Sequence, residues 1–256
     1  MPAPTEVGTS AARTLVRGLT ILEIVAQAPE GIGVTEVAAR AEIDKGTVSR
    51  LLATLRQMSY VQQRSVDRRF VLGSRCLWLA REYKSRREEL SSVAQPFLAE
   101  LRDLSQETVH LAILEDTSVV FIAQEQPDRS IRVRSAVGSR LPMHRTAMGR
   151  AVLAELDPES RDQLIASLEA DATARQEPID VPQLRADVDE AVERGWAAVD
   201  RHDDVTRLAS AIVDADGEPI AAITLSGPDY RMEPQIEHFG TELIRIARAV
   251  SEALGR

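Results

Sequence analysis

Apolar side chains in the first third of the chain recur with the spacing of an amphipathic helix in three successive segments. In the third segment, DKGTVSRLLATLRQ, the residues Val48, Leu51, Leu52 and Leu55 fall at i, i+3, i+4 and i+7, so this face must be buried. Asp44 precedes the helix as its expected N-cap. After Asp44, the opposite face contains no acidic side chain, and its residues are small, hydroxylic or cationic. Such a face suits an anionic partner.

The second and third helices have the spacing of a helix-turn-helix. Glu42 occupies the turn between them, where glycine is usual because the turn favours a positive φ. Residues 60–73 then show two short strands around a turn at Ser65–Asp67, which is the pattern of a wing. We therefore predict a winged helix-turn-helix over residues 13–74, preceded by a disordered tail of residues 1–12.

The overall charge conceals a difference between two parts of the chain. The formal net charge is −9 and the pI is about 5.1, values that alone would argue against a nucleic-acid partner. Residues 13–87, however, contain 14 Lys and Arg against 7 Asp and Glu, whereas residues 88–256 contain 17 against 32. The basic surplus lies in the predicted winged helix, so a polyanion is expected to bind there.

Two interpretations of the N-terminal segment remain: a DNA-binding domain, or a three-helix bundle whose charged face only keeps it soluble. The basic surplus and the arginine-rich wing favour DNA. In that case the third helix approaches base edges in the major groove, and nearby arginines contact phosphates. The expected base-contacting residues are Lys45, Thr47, Ser49 and Arg50, and the expected phosphate-contacting residues are Arg56, Arg64, Arg68 and Arg69.

The rest of the chain is predicted to be a linker helix over residues 75–92 and an α+β domain with an antiparallel sheet over residues 93–256. Helical spacing alternates there with β-branched segments and turn residues. The predicted elements are a hairpin turning at 115–118, a strand at 131–137, a helix from Thr146, a helix at 184–194, a hairpin about Asp216 and Gly217, and a last helix from Pro234.

Composition indicates a cytoplasmic protein. Hydrophobic residues make up 44% of the chain, which supports globular folding. The single cysteine, Cys76, allows no internal disulfide, and no run approaches the ~18 apolar residues that a membrane span needs. The N-terminal segment has no apolar stretch of the kind found in export signals. We expect no membrane partner.

A candidate ligand site follows from one helix start and one strand. Thr146 stands where an N-cap is expected, and the free amides of the next three residues would form an anion site at the positive end of the helix dipole. A carboxylate is the natural guest. In the strand AAITLSG, alternation places Ala222, Thr224 and Ser226 on one small, hydroxylic face. The alternatives are an ordinary helix cap and an edge strand that faces water.

No catalytic site is predicted. The four histidines are scattered, and the adjacent residues His202, Asp203 and Asp204 rarely converge on one metal because neighbours in sequence point apart. Nucleophile elbows, zinc-binding helices and phosphate-cradling glycine loops are absent from the sequence. We therefore predict no cofactor and no metal. An enzyme that converts a small molecule and an interaction adaptor that does not bind DNA remain the alternative functions.

The sequence resembles the IclR family of transcription regulators through nearly its whole length. The matching motifs occur in order: GTVSRLL in the winged helix, VGSRLPMHRTAMGRAVLAEL at 137–156, ERGWAAVD at 193–200 and IVDADGEPIAAITLSGP at 212–228. The resemblance implies a winged helix joined by a helix to a GAF-like effector domain, assembled as a homodimer or a dimer of dimers. The sequence departs from the family pattern at Glu42 and Ser59, where glycine is usual, and at Gly46, where serine is usual.

The resemblance also implies an effector pocket that overlaps the candidate anion site. Its expected lining residues, together with the cap Thr146, are Val133, Ala147, Met148, Asp200, Arg207, Thr224 and Ser226. Met148 and Val133 would suit an apolar or aromatic body on the acid. We therefore expect a regulator that senses a small carboxylic acid, either aromatic or keto, and controls a catabolic operon through a pseudo-palindromic DNA operator.

Overall fold

The computed structural model describes residues 10–85, 88–199 and 202–255. They form two compact units, which divide between residues 86 and 87. Within these ranges, no helix is both long enough and apolar enough to cross a membrane. The mixed α+β fold predicted from the sequence is confirmed, with a helix-turn-helix in the first unit and an antiparallel sheet in the second.

The first unit contains the three predicted helices and a two-stranded antiparallel wing. Its elements are α1 (Ser10–Ala26), α2 (Val34–Ala41), α3 (Lys45–Gln57), β1 (Val61–Gln63), β2 (Phe70–Leu72) and α4 (Ser74–Ser85). Val61 pairs with Leu72 and Gln63 with Phe70, so residues 64–69 form the tip that connects the two wing strands. Ile21, Val48 and Leu52 are fully buried in the core shared by α1 and α3, as the apolar stripe predicted.

The last three residues of the predicted disordered tail, residues 10–12, are helical in the structure. Helix α1 begins at Ser10, because Ala11 and Ala12 are strong helix formers that extend the amphipathic segment toward the N-terminus. Residues 1–9 of the predicted tail lie outside the described residues.

The second unit is built on a six-stranded antiparallel sheet with the strand order β5-β4-β3-β8-β7-β6. The strands are β3 (Thr108–Glu115), β4 (Ser118–Glu125), β5 (Arg140–Pro142), β6 (Ala197–Val199), β7 (Val205–Val213) and β8 (Pro219–Pro228). The helices are α5 (Glu88–Ser105), α6 (Ala147–Glu155), α7 (Pro158–Ala174), α8 (Val181–Arg194), α9 (Asp229–Met232) and α10 (Ile236–Leu254).

Alternation along the strands gives this sheet two different faces. Val109 and Leu225 point toward α5 and α10 and belong to one apolar core. Ala112, Ala209 and Ala222 point the other way and pack in a second core with α6, α7 and α8. Small residues on the second face let α6 approach the middle of the sheet.

One predicted strand is absent from the structure. Residues 131–137 form no strand, because the edge position beside β4 is taken by β5 at Arg140–Pro142. Alternation of apolar residues is compatible with a strand, but it does not show whether a pairing partner is available. In the predicted linker helix 75–92, all described residues are helical, in α4 up to Ser85 and in α5 from Glu88, and residues 86–87 lie outside the described residues. Helix α5 then continues through Pro96 to Ser105.

Candidate DNA interface and effector site

The start of α3 is fixed by a side-chain cap. The amide of Thr47 donates to Oδ1 of Asp44 at 2.9 Å, which satisfies one of the otherwise unpaired donors of the first turn. Hydrogen bonds from Thr47 lower the pKa of the Asp44 carboxyl, so the cap is ionised at neutral pH. The negative charge also favours the positive end of the helix dipole. The predicted N-cap is therefore present.

Opposite its buried stripe, α3 presents the predicted base-contacting residues to solvent. Lys45, Ser49 and Arg50 are exposed, and Thr47 is half-buried. Nη2 of Arg50 donates a hydrogen bond to Oγ1 of Thr47 at 3.3 Å. These four polar side chains therefore lie in the first two turns of α3, outside its buried stripe, where a major-groove contact would be made.

The wing arginines are not equivalent. Arg64 forms an ion pair with Asp67, with Nε at 3.2 Å from Oδ1, and this pair raises the pKa of Arg64 and lowers that of Asp67. Nη1 of Arg69 donates to the carbonyl of Gly31 at 3.0 Å, which ties the wing to the helical part of the unit. Both guanidinium groups thus have protein partners already.

Arg56 and Arg68 are placed on either side of one glutamine. Nη1 of Arg56 donates to Oε1 of Gln63 at 3.2 Å, and Nε2 of Gln63 donates to the carbonyl of Arg68 at 2.8 Å. Arg68 is exposed and has a φ of 60°. At this exposed position of the wing, Arg68 offers a cation to solvent.

The two positions where the family usually has glycine keep the left-handed backbone. Glu42 has a φ of 55° and its amide closes α2 on the carbonyl of Ala38, while Ser59 has a φ of 63°. The turn at Glu42 and the turn at Ser59 therefore both keep the glycine-like backbone, at a steric cost of roughly 1 kcal/mol for each side chain.

In the second unit, Thr146 is the N-cap of α6 as predicted. It has a φ of −126° and a ψ of 146°, and its Oγ1 accepts a hydrogen bond from the amide of Gly149 at 2.9 Å. The expectation of three free amides is therefore wrong for Gly149, because the cap occupies its donor. The amides of Ala147 and Met148 remain at the helix end for an anion.

Thr224 and Ser226 lie on the sheet face that α6 covers, as alternation predicted. Both are buried, and Oγ1 of Thr224 donates to the carbonyl of Leu208 at 2.7 Å. Thr224 can therefore only accept from a ligand. Ser226 pairs in register with Thr108 on one side and Arg207 on the other.

The other predicted pocket residues have different surroundings. Both Nη atoms of Arg207 bind the Asp203 carboxylate, at 2.9 and 2.8 Å, so this cation is held at the end of β7. The carbonyl of Val133 accepts from Oγ1 of Thr108 at 2.9 Å, which draws its loop to the sheet. Asp200 lies outside the described residues.

One polar group on this face was not predicted from the sequence. His110, the β3 partner of Thr224, is 1% exposed, and its ring stacks on Phe121 with centroids 4.5 Å apart. Burial lowers its pKa to about 4, so the ring is neutral at pH 7. The signal was present in the alternation of TVHLAILE, because a histidine falls on the face opposite Val109 and Leu111.

A metal site is not built from these groups. Within the described ranges, no three or more His, Cys, Asp or Glu side chains are placed to hold a metal ion.

Both units match known families. Residues 84–252 match the family described as Bacterial transcriptional regulator IclR C-terminal, and residues 14–65 match the IclR helix-turn-helix domain. The chain is 30% identical over 252 residues to the Transcriptional repressor IclR of Escherichia coli (strain K12), with 96% of this chain and 92% of the relative covered. It is 33% identical over 248 residues to the HTH-type transcriptional repressor AllR of the same organism, with 95% and 91% covered.

Solved structures show the same fold. The IclR of Thermotoga maritima superposes with a TM-score of 0.75 at 22% identity, covering 95% of this chain and 99% of the other. An IclR homolog from Microbacterium hydrocarbonoxydans, complexed with 4-hydroxybenzoate, superposes with a TM-score of 0.75 at 22% identity, covering 94% and 98%. Since the matched families consist of transcriptional regulators, the enzyme and adaptor alternatives are set aside. With a matching DNA-binding unit and a matching C-terminal unit, the chain belongs to the IclR family of DNA-binding transcriptional regulators.

Proposed function

We propose that this protein represses a catabolic operon and that a small carboxylic acid, aromatic or keto, changes its affinity for the operator. The observation that carries this proposal is the capped N-terminus of α6 over the hydroxylic face of β8. The amides of Ala147 and Met148 supply donors for a carboxylate, while Met148 and Val133 supply an apolar wall. The relatives named repressors and the homolog bound to 4-hydroxybenzoate support the same assignment.

In the first unit, the side chains of α3 and those of the wing have different roles in DNA binding. Lys45, Thr47, Ser49 and Arg50 contact base edges from α3. Arg68 contacts phosphate more strongly than Arg64 and Arg69 do, because Asp67 and Gly31 already hold the latter two. Arg56 contacts phosphate beside Gln63, to which it already donates one hydrogen bond. Base contacts distinguish sequences, whereas phosphate contacts bind all duplexes alike.

Arg50→Ala and Arg68→Ala test this division. Arg50→Ala is expected to weaken operator binding by roughly 1–3 kcal/mol and to relax one operator position, whereas Arg68→Ala weakens operator and scrambled duplex equally. Fluorescence anisotropy titrations at fixed salt measure both. Arg185→Ala, an exposed arginine of the second unit, is the matched control and should leave both affinities unchanged. Equal losses on both duplexes for Arg50→Ala would restrict that residue to a phosphate.

The effector half is tested by placing a fixed charge in the anion site. Ala147→Asp puts a carboxylate where the guest's carboxylate is expected, and acid affinity should fall at least tenfold, or about 1.4 kcal/mol. Ser160→Asp is the matched control, since it adds the same charge to the first turn of α7, where the residue is exposed. Calorimetry with the acid measures the affinity, and operator binding without acid should stay near normal.

Ala147 is only 2% exposed, so its aspartate variant needs an independent check. Thr224→Val keeps the shape of the side chain and removes the hydroxyl acceptor, which leaves the helix end intact. A folded Ala147→Asp protein that binds the acid with wild-type affinity would show that the carboxylate lies elsewhere. Unchanged affinity in Thr224→Val would remove β8 from the site.

We further propose a homodimer or a dimer of dimers that acts in the cytoplasm. Large apolar side chains stay exposed on two helices of the first unit, with Leu15 and Leu19 at 64% and 51% and Leu77 and Trp78 at 75% and 45%. Surfaces of this kind mark protein contacts. Light scattering of the full chain tests the assembly, and a monomer at micromolar concentration would contradict it.

A further inference from the structure

We propose that His110 is a specificity residue of the effector site, whose Nδ1–H donates a hydrogen bond to a second oxygen of the acid, such as a hydroxyl or a ketone. This inference rests on the proposed function, because it concerns the same ligand. It adds a requirement that the carboxylate site does not impose: the preferred acid must carry an acceptor oxygen besides its carboxylate.

The first support is the position of His110 between two strands. On one side it pairs in register with Gln124 of β4, and on the other with Thr224 of β8. All three side chains therefore belong to the sheet face on which α6 packs, rather than to the face of α5 and α10. The imidazole consequently lies next to a residue that the effector site already contains.

The second support is the location of its proton. Nε2 of His110 lies 3.0 Å from Nε2 of Gln124. An amide nitrogen is only a donor, so the ring nitrogen must accept, and the single proton of the neutral ring is on Nδ1. The ring is neutral because burial holds its pKa near 4. On the side of the ring away from Gln124, His110 therefore presents a neutral N–H donor at Nδ1 and not a positive charge.

The third support is that this donor has no partner. Nδ1 is buried and makes no hydrogen bond with any described residue. A hydrogen-bonding interaction with the backbone of Ser135 raises the pKa of the ring against the larger effect of burial, but its geometry falls short of a hydrogen bond to Nδ1. Buried polar groups without a partner are rare because the loss of their hydrogen bonds to water is not compensated. An acceptor oxygen of a bound ligand would satisfy this donor.

The surroundings also restrict the ligand. Phe121 stacks on the ring and holds its plane, so the direction of Nδ1 is fixed before a ligand arrives. A neutral donor distinguishes acids by hydrogen bonding and does not simply add attraction for negative charge. An acid that lacks the second oxygen leaves the buried donor unpaired and binds less tightly.

Two matched pairs of probes test the requirement on the full chain by calorimetry at pH 7.5. Benzoate is compared with 4-hydroxybenzoate, and propionate with pyruvate, so that each pair differs by one acceptor oxygen. In the pair that binds, the wild-type protein is expected to prefer the oxygenated acid at least tenfold. His110→Phe keeps an aromatic ring for Phe121 but removes the donor, and this preference should disappear.

Two amide variants separate the role of Nδ1 from polarity or folding. His110→Asn places an amide nitrogen near the position of Nδ1 and should retain most of the preference, whereas His110→Gln extends its amide toward Gln124 and should lose it. Circular dichroism confirms that each variant is folded. If His110→Phe fails to fold, the contrast between Asn and Gln decides the question alone.

The outcomes separate this inference from the proposed function. A wild-type protein that binds both members of a pair equally, or a folded Phe or Gln variant that keeps the preference, overturns the role of His110 and leaves the carboxylate site standing. Binding of no acid from either pair overturns the proposed carboxylate effector and this inference with it. Loss of the preference in Phe and Gln with retention in Asn supports both.

Discussion

Replacing Arg231 with methionine should destabilise the second unit strongly, because it removes the main partner of a buried charge. Glu107 is 1% exposed, and its carboxylate binds both Nε and Nη2 of Arg231, the latter at 2.9 Å from Oε2. Nη2 also donates to the carbonyl of Ile131 at 3.0 Å. One guanidinium therefore neutralises a buried carboxylate and holds the loop that follows β4.

The size of the effect follows from what remains near the carboxylate. Removing one member of a buried ion pair costs about 3–5 kcal/mol, because the other charge stays desolvated. In Arg231→Met, Glu107 keeps Arg129, whose Nη1 lies 3.8 Å from Oε1 and whose side chain is 38% exposed. This partial compensation places the expected loss of unfolding free energy near 3 kcal/mol.

Urea unfolding followed by tryptophan fluorescence measures the loss. In a Trp78→Phe background, Trp196 reports on the second unit, where it is 4% exposed. Adding Glu107→Gln to Arg231→Met removes the unpaired charge and should recover part of the stability.

Arg245→Met is the matched control for this experiment. Arg245 pairs with Glu100, and their side chains are 47% and 48% exposed, so the loss should be below about 1 kcal/mol. A loss below about 1 kcal/mol for Arg231→Met, or a double variant as unstable as the single one, would show that Arg231 does not stabilise a buried charge on Glu107.

Three further predictions concern local geometry and pH. Glu42→Gly should raise unfolding free energy by about 1 kcal/mol, measured by thermal denaturation, because the residue has a φ of 55°. Gly240→Ala should lower it by about 1–3 kcal/mol in urea, since an added Cβ would lie 2.4 Å from Nε1 of Trp196. Burial holds the pKa of His110 at about 4 in the folded protein, below its ordinary value of 6.5 in the unfolded chain, so below pH 6.5 the unfolded chain binds a proton that the folded chain does not. The unfolding free energy that neutral His110 contributes is complete above pH 6.5 and falls by roughly 3 kcal/mol as the pH is lowered to 4. In His110→Phe, this part of the pH dependence of the unfolding free energy should be absent.

The features that sequence alone predicted are those set by residues close together in the chain. The apolar stripe of α3, the cap Asp44 and the cap Thr146 depend on a few neighbouring positions, and the structure contains all three. The faces of β8 follow from alternation in the same way, which is why Thr224 and Ser226 were placed together. Local periodicity fixes which side chains share a face before any tertiary contact is known.

The features that were missed depend on partners distant in sequence. The segment 131–137 alternates like a strand, but the edge of β4 pairs with Arg140–Pro142 instead. His110 gains its significance only when β3 is placed between β4 and β8, since its register partners come from elements far along the chain. The guanidinium of Arg69 is held by a hydrogen bond to the carbonyl of Gly31, which is 38 residues away in the chain. No spacing rule connects such pairs.

The loop after β4 links these distant contacts to recognition. Its main chain is held at Ile131 by Arg231, at Val133 by Thr108, and at Gly138 by a hydrogen bond from its amide to the carbonyl of Phe121 at 2.7 Å. Phe121 is also the residue that stacks on His110. Because two of the three anchors, Thr108 on β3 and Phe121 on β4, lie on strands that carry the pocket, the loop and the imidazole are positioned by the same framework. A ligand oxygen at Nδ1 would therefore meet a donor whose direction is set before binding, which is the condition for discrimination between closely related acids.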